Sequence, residues 1–400
     1  MRRLQVEGAV MVQDRRKPPF RADHVGSLKR PAHLQQQRER LLGAHTPNSN
    51  LGRHDNAELK AIEDQAIIEV IRLQEDCGLL STTDGEFRRR SWWTDFMLGF
   101  EGIAQSAQKS KLEFRDSQGQ VRSNSSIELT GPIRWSGDIF SDQFRFVAEH
   151  TRVTPKLTVP APTNLLYFLG GEIAKSVPAY RDPSLFWSDL AQAYRQEIAA
   201  LHASGCRYLQ LDDITLAFLC DDERRQEVAS WGYDPDRLLA DYIRSVNIAV
   251  ADRPADMVVT MHICRGNFSG AFGAQGGYEA IADKLFHETA VDGFFLEYDS
   301  PRAGSFEPLR HLPRDKSVVL GLITSKTNVL EEPDAVRRRI EDAARYADLD
   351  QLCLSPQCGF ASNYLGNPVT IDDQRRKLEL VVRIAESVWG KIGADAGGVS

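Results

Sequence analysis

The chain is 400 residues long, 42% hydrophobic and 26% charged, with a formal net charge of −7. This is ordinary globular composition, and its mild acidity excludes the electrostatic footprint of a nucleic-acid or anionic-membrane binder. No apolar run approaches the roughly 20 residues of a membrane helix, and the basic start lacks a secretory core, so a cytoplasmic protein is expected.

Residues 1–19 are polar and bounded by proline, which predicts a flexible arm in which Met11 is an alternative start. From there short apolar or β-branched runs alternate with longer helical patterns. In chain order, strands are predicted at 20–25, 79–83, 156–159, 207–211, 257–262, 293–296, 317–322 and 351–354. Helices are predicted at 57–77, 183–203, 235–250, 278–289, 333–346 and 372–389. The first of these places Leu59, Ile62, Ala66, Ile67, Val70 and Leu73 on one face. Pro183, Pro235 and Pro333 stand at or near helix starts, where a missing N–H is tolerated.

Eight strands with intervening helices and no second compositional block predict an α/β fold, a single (β/α)8 barrel over 20–390, followed by a tail at 391–400. The stretch 100–155 is too long for one connection. Its polar segments 106–110 and 116–126 and the alternating run Gln143-Phe144-Arg145-Phe146-Val147 predict an inserted hairpin or small subdomain near the barrel mouth.

Six cysteines, at 77, 206, 220, 264, 353 and 358, are too sparse for a disulfide scaffold. Cys77, Cys206 and Cys353 lie inside apolar patterns and read as structural, while Cys220 has no evident partner. In barrels the chemistry sits at the C-terminal ends of strands. Those ends read His24-Val25-Gly26-Ser27, Asp84-Gly85-Glu86, Gln210-Leu211-Asp212-Asp213, His262-Ile263-Cys264, Glu297, Thr324-Ser325-Lys326 and Gln357-Cys358-Gly359. On a strand, His262 and Cys264 project to the same side. With Glu297 and Cys358 they make a mixed, borderline-soft donor set that suits tetrahedral Zn²⁺. The loop 265–277 holds five glycines without phosphate-loop spacing, which predicts a mobile cover rather than a nucleotide site.

In this order DHVGS, DGEF, LQLDD, MHICRGN, FLEYD and SPQCGF resemble the catalytic barrel of the cobalamin-independent methionine synthase family over about residues 20–390. The resemblance implies a zinc held by His262, Cys264, Glu297 and Cys358, and methyl transfer from methyltetrahydrofolate to the thiol of homocysteine. It implies that Ser27, Glu86 and Asp212 hold the amino-acid part of the acceptor, with Gln210 grouped beside them. A related branch adds coenzyme M to epoxides, but Glu86 and Asp212 would repel a sulfonate and attract an ammonium.

On the donor side the chain departs from the family pattern. The family's Asn-Trp-Ser after the third strand is replaced by Thr158–Asn164, and its DxHS histidine by Leu322-Ile323-Thr324-Ser325-Lys326. Asp213 stands where the family has a glutamate. Lys326 and Asp213 are therefore the catalytic candidates, Lys326 as an anion anchor or proton donor, with Trp92, Trp93, Trp135 and Phe140 as possible apolar walls. The expected partners are a small thiol and an alkyl donor, with a smaller or more activated donor expected to outperform methyl-folate. Alternatives on the same zinc platform are a thiol–epoxide transferase, a carbon–sulfur lyase, or a zinc- or thiol-binding protein without turnover.

Overall fold

The computed structural model describes residues 17–43, 53–106, 113–115, 121–123 and 126–392. The expectations for most of the arm, for Met11 and for most of the tail, together with much of 107–125, lie outside the described residues.

Seven parallel strands carry the fold: β1 (Ser81–Thr82), β2 (Leu157–Pro160), β3 (Tyr208–Asp213), β4 (Val258–Ile263), β5 (Gly293–Glu297), β6 (Ser317–Ile323) and β7 (Leu352–Pro356). β2 to β7 form one sheet in chain order, and Thr154–Pro155, just before β2, pairs with β1. Within β2–β7 only Val258 is not fully buried, as expected for parallel strands covered on both faces. The register sets Asp212 of β3 opposite His262 of β4, and Ile263 opposite Leu296 of β5.

The predicted first strand is the one that changes. In 20–25 only Ala22 bridges to β7, at Leu354, because the Asp23 carboxylate takes up nearby backbone donors, Phe20 N at 3.2 Å and His24 N at 2.8 Å. The segment still sits between β7 and β1. It meets β1 through side chains, Ser81 Oγ donating to Asp23 Oδ1 at 3.0 Å and Thr83 Oγ1 to Gly26 O at 2.6 Å. The strands thus follow the cyclic order of a (β/α)8 barrel, with one seam made by side chains instead of a backbone ladder.

Helices Pro183–Ala203 and Pro235–Val250 begin on their prolines, each capped by the preceding aspartate, Asp182 or Asp234. Ala57–Asp76 is capped by Asn56, and Ile371–Trp389 by a Thr370/Asp373 capping box. The pattern over 278–289 divides at Ile281, whose φ of −122° is not helical, into a short 3-10 turn and the helix Ala282–Glu288. In the insertion Glu101–Gln105 pairs antiparallel with Ile127–Arg134, and Glu113–Arg115 with Val121–Ser123. The alternating run 143–147 is not part of it. It lies in the helix Ser141–His150, where Phe144 and Val147 are buried at the i, i+3 spacing of a helix face.

Two features fill the space enclosed by the strands. Val25, Phe295, Val319 and Cys353 form a small apolar cluster separate from the main core. Beside it Lys156 is fully buried against Asp23 (Nζ to Oδ1 3.2 Å), with Tyr208 donating to the other oxygen at 2.7 Å. The Lys156 ammonium also lies 4.2 Å from the Phe295 ring centre and 4.8 Å from that of Tyr208. Burial and this ammonium push the neighbouring His24 down to about 4, so it stays neutral. Removing one partner of a buried pair leaves an uncompensated charge, which costs about 3–5 kcal/mol. Lys156→Met should lower stability by that order in chemical denaturation, and adding Asp23→Asn should recover part of the loss.

Candidate metal centre and substrate cavity

β4 and β7 lie three strands apart, yet their C-terminal ends bring three soft or borderline donors together. His262, Cys264 and Cys358 are all buried, and their donor atoms lie within 4.8 Å of one another. The two sulfurs are 3.9 Å apart. Two sulfurs bound to one tetrahedral zinc at about 2.3 Å stand roughly 3.8 Å apart, whereas a disulfide is about 2.05 Å. Both ring nitrogens of His262 are buried without a hydrogen-bond partner, a state a neutral imidazole rarely keeps unless a ligand uses it. The donor set and spacing therefore fit a zinc ion. Hydrogen bonding from Cys264 and the nearby His262 hold the Cys358 thiol well below its ordinary range, while Cys358 and burial push Cys264 up.

Glu297, the fourth expected ligand, lies outside that three-residue cluster. Its carboxylate accepts from Arg265 N at 2.9 Å and Arg302 Nη2 at 3.0 Å, with Lys326 Nζ 4.0 Å away. Against the opposing effect of burial, Lys326, Arg265 and Arg302 draw Glu297 down to about 2. Lys326 is half-buried, its Nζ is shut off from solvent with no hydrogen-bond partner, and it does not line the cavity.

Above the sulfurs opens a cleft with about 360 Å³ of empty space, part of it open to solvent. Ser27, Glu86, Asp212 and Asp213 border it together with His262, Cys264 and Cys358. Glu86 has a φ of 61°. A non-glycine residue held in that left-handed region stores about 1–3 kcal/mol, and such strain clusters at functional sites. One Glu86 oxygen accepts from Thr158 Oγ1 at 2.8 Å, and the other is buried without a partner. Burial pushes this carboxyl up against the pull of Arg89. Burial likewise pushes Asp212 up to about 7, with Glu86 adding to the shift.

Gln210 does not border the cavity. It donates to Asp212 Oδ1 at 2.6 Å and to Val25 O at 2.7 Å, and so orients the carboxylate. Asp213 is committed to its own turn. It accepts from Leu216 N at 2.6 Å and from the hydroxyls of Thr163 and Thr215. Of the aromatic candidates only Trp92 reaches the cavity. Trp93 stacks on Phe168 with ring centres 4.0 Å apart, Phe140 lies under Arg89, and Trp135 donates to Glu197. Asn267, Gly359 and Ser362 also border the cavity and were not singled out from the sequence as site residues, apart from Gly359's place at a strand end.

The glycine loop is pinned rather than free. The Arg265 guanidinium donates to Gly276 O and Ala303 O, and Arg224 Nε to Gly273 O. Asn267 Nδ2 donates to Gly359 O at 2.9 Å, tying the loop to β7.

The class defined here is a parallel α/β fold whose strand ends gather a soft three-donor cluster, able to hold a metal, under an acidic cavity. The chain belongs to the cobalamin-independent synthase catalytic-domain family, whose model matches residues 37–387. The Bacillus subtilis protein YxjH, itself uncharacterised, is 43% identical over 94% of this chain and 97% of its own length. A Listeria monocytogenes structure, described as a candidate vitamin-B12-independent methionine synthase, superposes with a TM-score of 0.69 at 35% identity, covering 93% and 99% of the two chains. The methionine synthase of Saccharolobus solfataricus is 25% identical over 84% of this chain and 86% of its own.

A Cβ at Gly359 would lie 1.9 Å from Ser27 Oγ. Gly359→Ala should therefore push Ser27 out of the cavity and weaken amino-acid thiol binding by about 1–3 kcal/mol, as for a lost hydrogen bond to a charged group. Calorimetric titration with homocysteine, alongside an unchanged zinc content, is the check.

Proposed function

We propose that this protein is a zinc-dependent thiol alkyltransferase that methylates homocysteine, or a closely similar amino-acid thiol, to a thioether such as methionine. The observation that carries the reading is the 3.9 Å sulfur pair with the unpartnered His262 at the base of a cavity walled by Glu86 and Asp212. His262, Cys264 and Cys358 would hold the metal, with Glu297 as the fourth donor. Zinc bound there supplies the Lewis acidity that lets a thiol lose its proton near neutral pH, where only the thiolate is a good nucleophile.

The chain's own residues do the rest. Two cysteinates and a carboxylate keep the site electron-rich. Glu86 and Asp212 receive the acceptor's α-ammonium, and Ser27 its carboxylate. Gln210 keeps Asp212 aimed at the cavity. Arg302 and Lys326 hold Glu297 ionised, and Asp213 stiffens the turn after β3. The six cysteines, all free in the structure, suit a reducing compartment, and we assign the protein to the cytoplasm.

Metal analysis of purified variants tests the centre. Cys264→Ser and Cys358→Ser should lose most zinc, whereas Cys77→Ser, a buried thiol bonded to Arg375 O, should keep it. Equal zinc in all three would overturn the assignment. Glu86→Gln and Asp212→Asn should keep zinc yet weaken homocysteine by about 1–3 kcal/mol each. Unchanged binding in both would show that the acceptor sits elsewhere.

A further inference from the structure

The cavity has an unbalanced wall. Among the described residues three carboxylates, Glu86, Asp212 and Asp213, border it, and neither a lysine nor an arginine does. The nearby cations are already engaged. Arg89 donates to Thr158 O at 2.8 Å and pairs with Glu86, while Arg302 and Lys326 face Glu297. One α-ammonium from an acceptor neutralises a single charge. Asp213 is satisfied by hydroxyl and amide donors, but the second Glu86 oxygen is buried with nothing to bind. An anionic donor would meet repulsion here, and a cationic one attraction.

Trp92 adds the second element. It is half-buried, its backbone N–H donates to Ser362 O at 2.9 Å, and its ring packs edge-on to Phe168 with centres 6.0 Å apart. Trp92 thus borders, in a fixed position, the same cavity as the carboxylates. A tryptophan face beside carboxylates is how proteins recognise onium groups, whose diffuse positive charge binds a π-face.

We propose that the alkyl donor is a small sulfonium ion, held by Trp92 beside the acidic wall, and that Trp92 determines donor specificity. The inference rests on the thiol alkyltransferase reading above. The balance is closed without a further reactant. The acceptor's S–H proton goes to solvent, and its sulfur lone pair forms the new S–CH3 bond. The CH3–S⁺ bond breaks with its electrons going to the leaving sulfur, which departs as a neutral thioether. No proton has to be delivered to the leaving group.

The test uses zinc-loaded full-length protein and homocysteine carrying ¹³C in its carbon chain. S-methylmethionine, trimethylsulfonium, 5-methyltetrahydrofolate and methyl iodide are offered separately, and ¹³C-methionine above background is read by mass spectrometry. At least one sulfonium should exceed methyl-folate at least tenfold in kcat/KM. Trp92→Ala should raise the sulfonium KM about tenfold while leaving zinc content unchanged and lowering methyl iodide turnover much less, and Trp92→Phe should restore most of the sulfonium KM. Methyl-folate turnover equal to or above both sulfoniums, or an unchanged sulfonium KM in Trp92→Ala, would overturn the proposal. Methyl iodide turnover without either sulfonium would do the same while leaving the alkyltransferase reading standing. Turnover with none of the four donors would remove both.

Discussion

Everything at this site depends on holding two sulfurs, 94 residues apart in sequence, at 3.9 Å without letting them bond. Neither cysteine could do this from a loose segment. Cys264 follows a strand whose two neighbours fix its register, and its backbone N donates to Asp213 O at 3.1 Å. Cys358 follows β7, where Gln357 N donates to Ile323 O at 2.8 Å, and Gly359 lets the chain press against Ser27. Parallel strands make distant segments converge at one end, so the donor geometry is set by the packing of the whole sheet.

That convergence gathers negative charge, and the surrounding structure manages it unequally. On the β5 side Arg302 and Lys326 compensate Glu297 and keep it ionised. On the β1–β3 side burial dominates, so Asp212 and Glu86 both rise above ordinary carboxyls. Burial penalises the charged form, so these carboxyls hold a proton more readily than exposed ones do. The positive φ of Glu86 fits the same logic, since the stored strain aims a carboxylate at the cavity.

Much of this was legible in the sequence because parallel strands are short apolar runs and their polar endings stand out. His262 and Cys264 could be paired from the two-residue period of a strand alone. The missed or altered elements have specific causes. Segment 20–25 looks like a strand, but Asp23 diverts its amides and turns its carboxylate to Lys156, a contact 133 residues away. The run 143–147 has both period-two and helical spacing, and tertiary packing of Phe144 and Val147 decided for the helix. Asn267 and Ser362 reach the cavity through loop-to-loop hydrogen bonds that leave no periodic trace. Gln210 shares a strand face with Asp212, which placed it near the site but could not show that it serves the carboxylate instead of the substrate.

The central claim is that the strand ends form a preorganised thiolate–imidazole zinc centre open to a thiol substrate. Zinc K-edge X-ray absorption of the loaded protein, without and with homocysteine, reads it most directly. The account predicts two sulfurs at about 2.3 Å with nitrogen or oxygen donors at roughly 2.0–2.2 Å, and a third sulfur when the thiol is added. A zinc shell of nitrogen and oxygen alone, or one unchanged by saturating homocysteine, would contradict it.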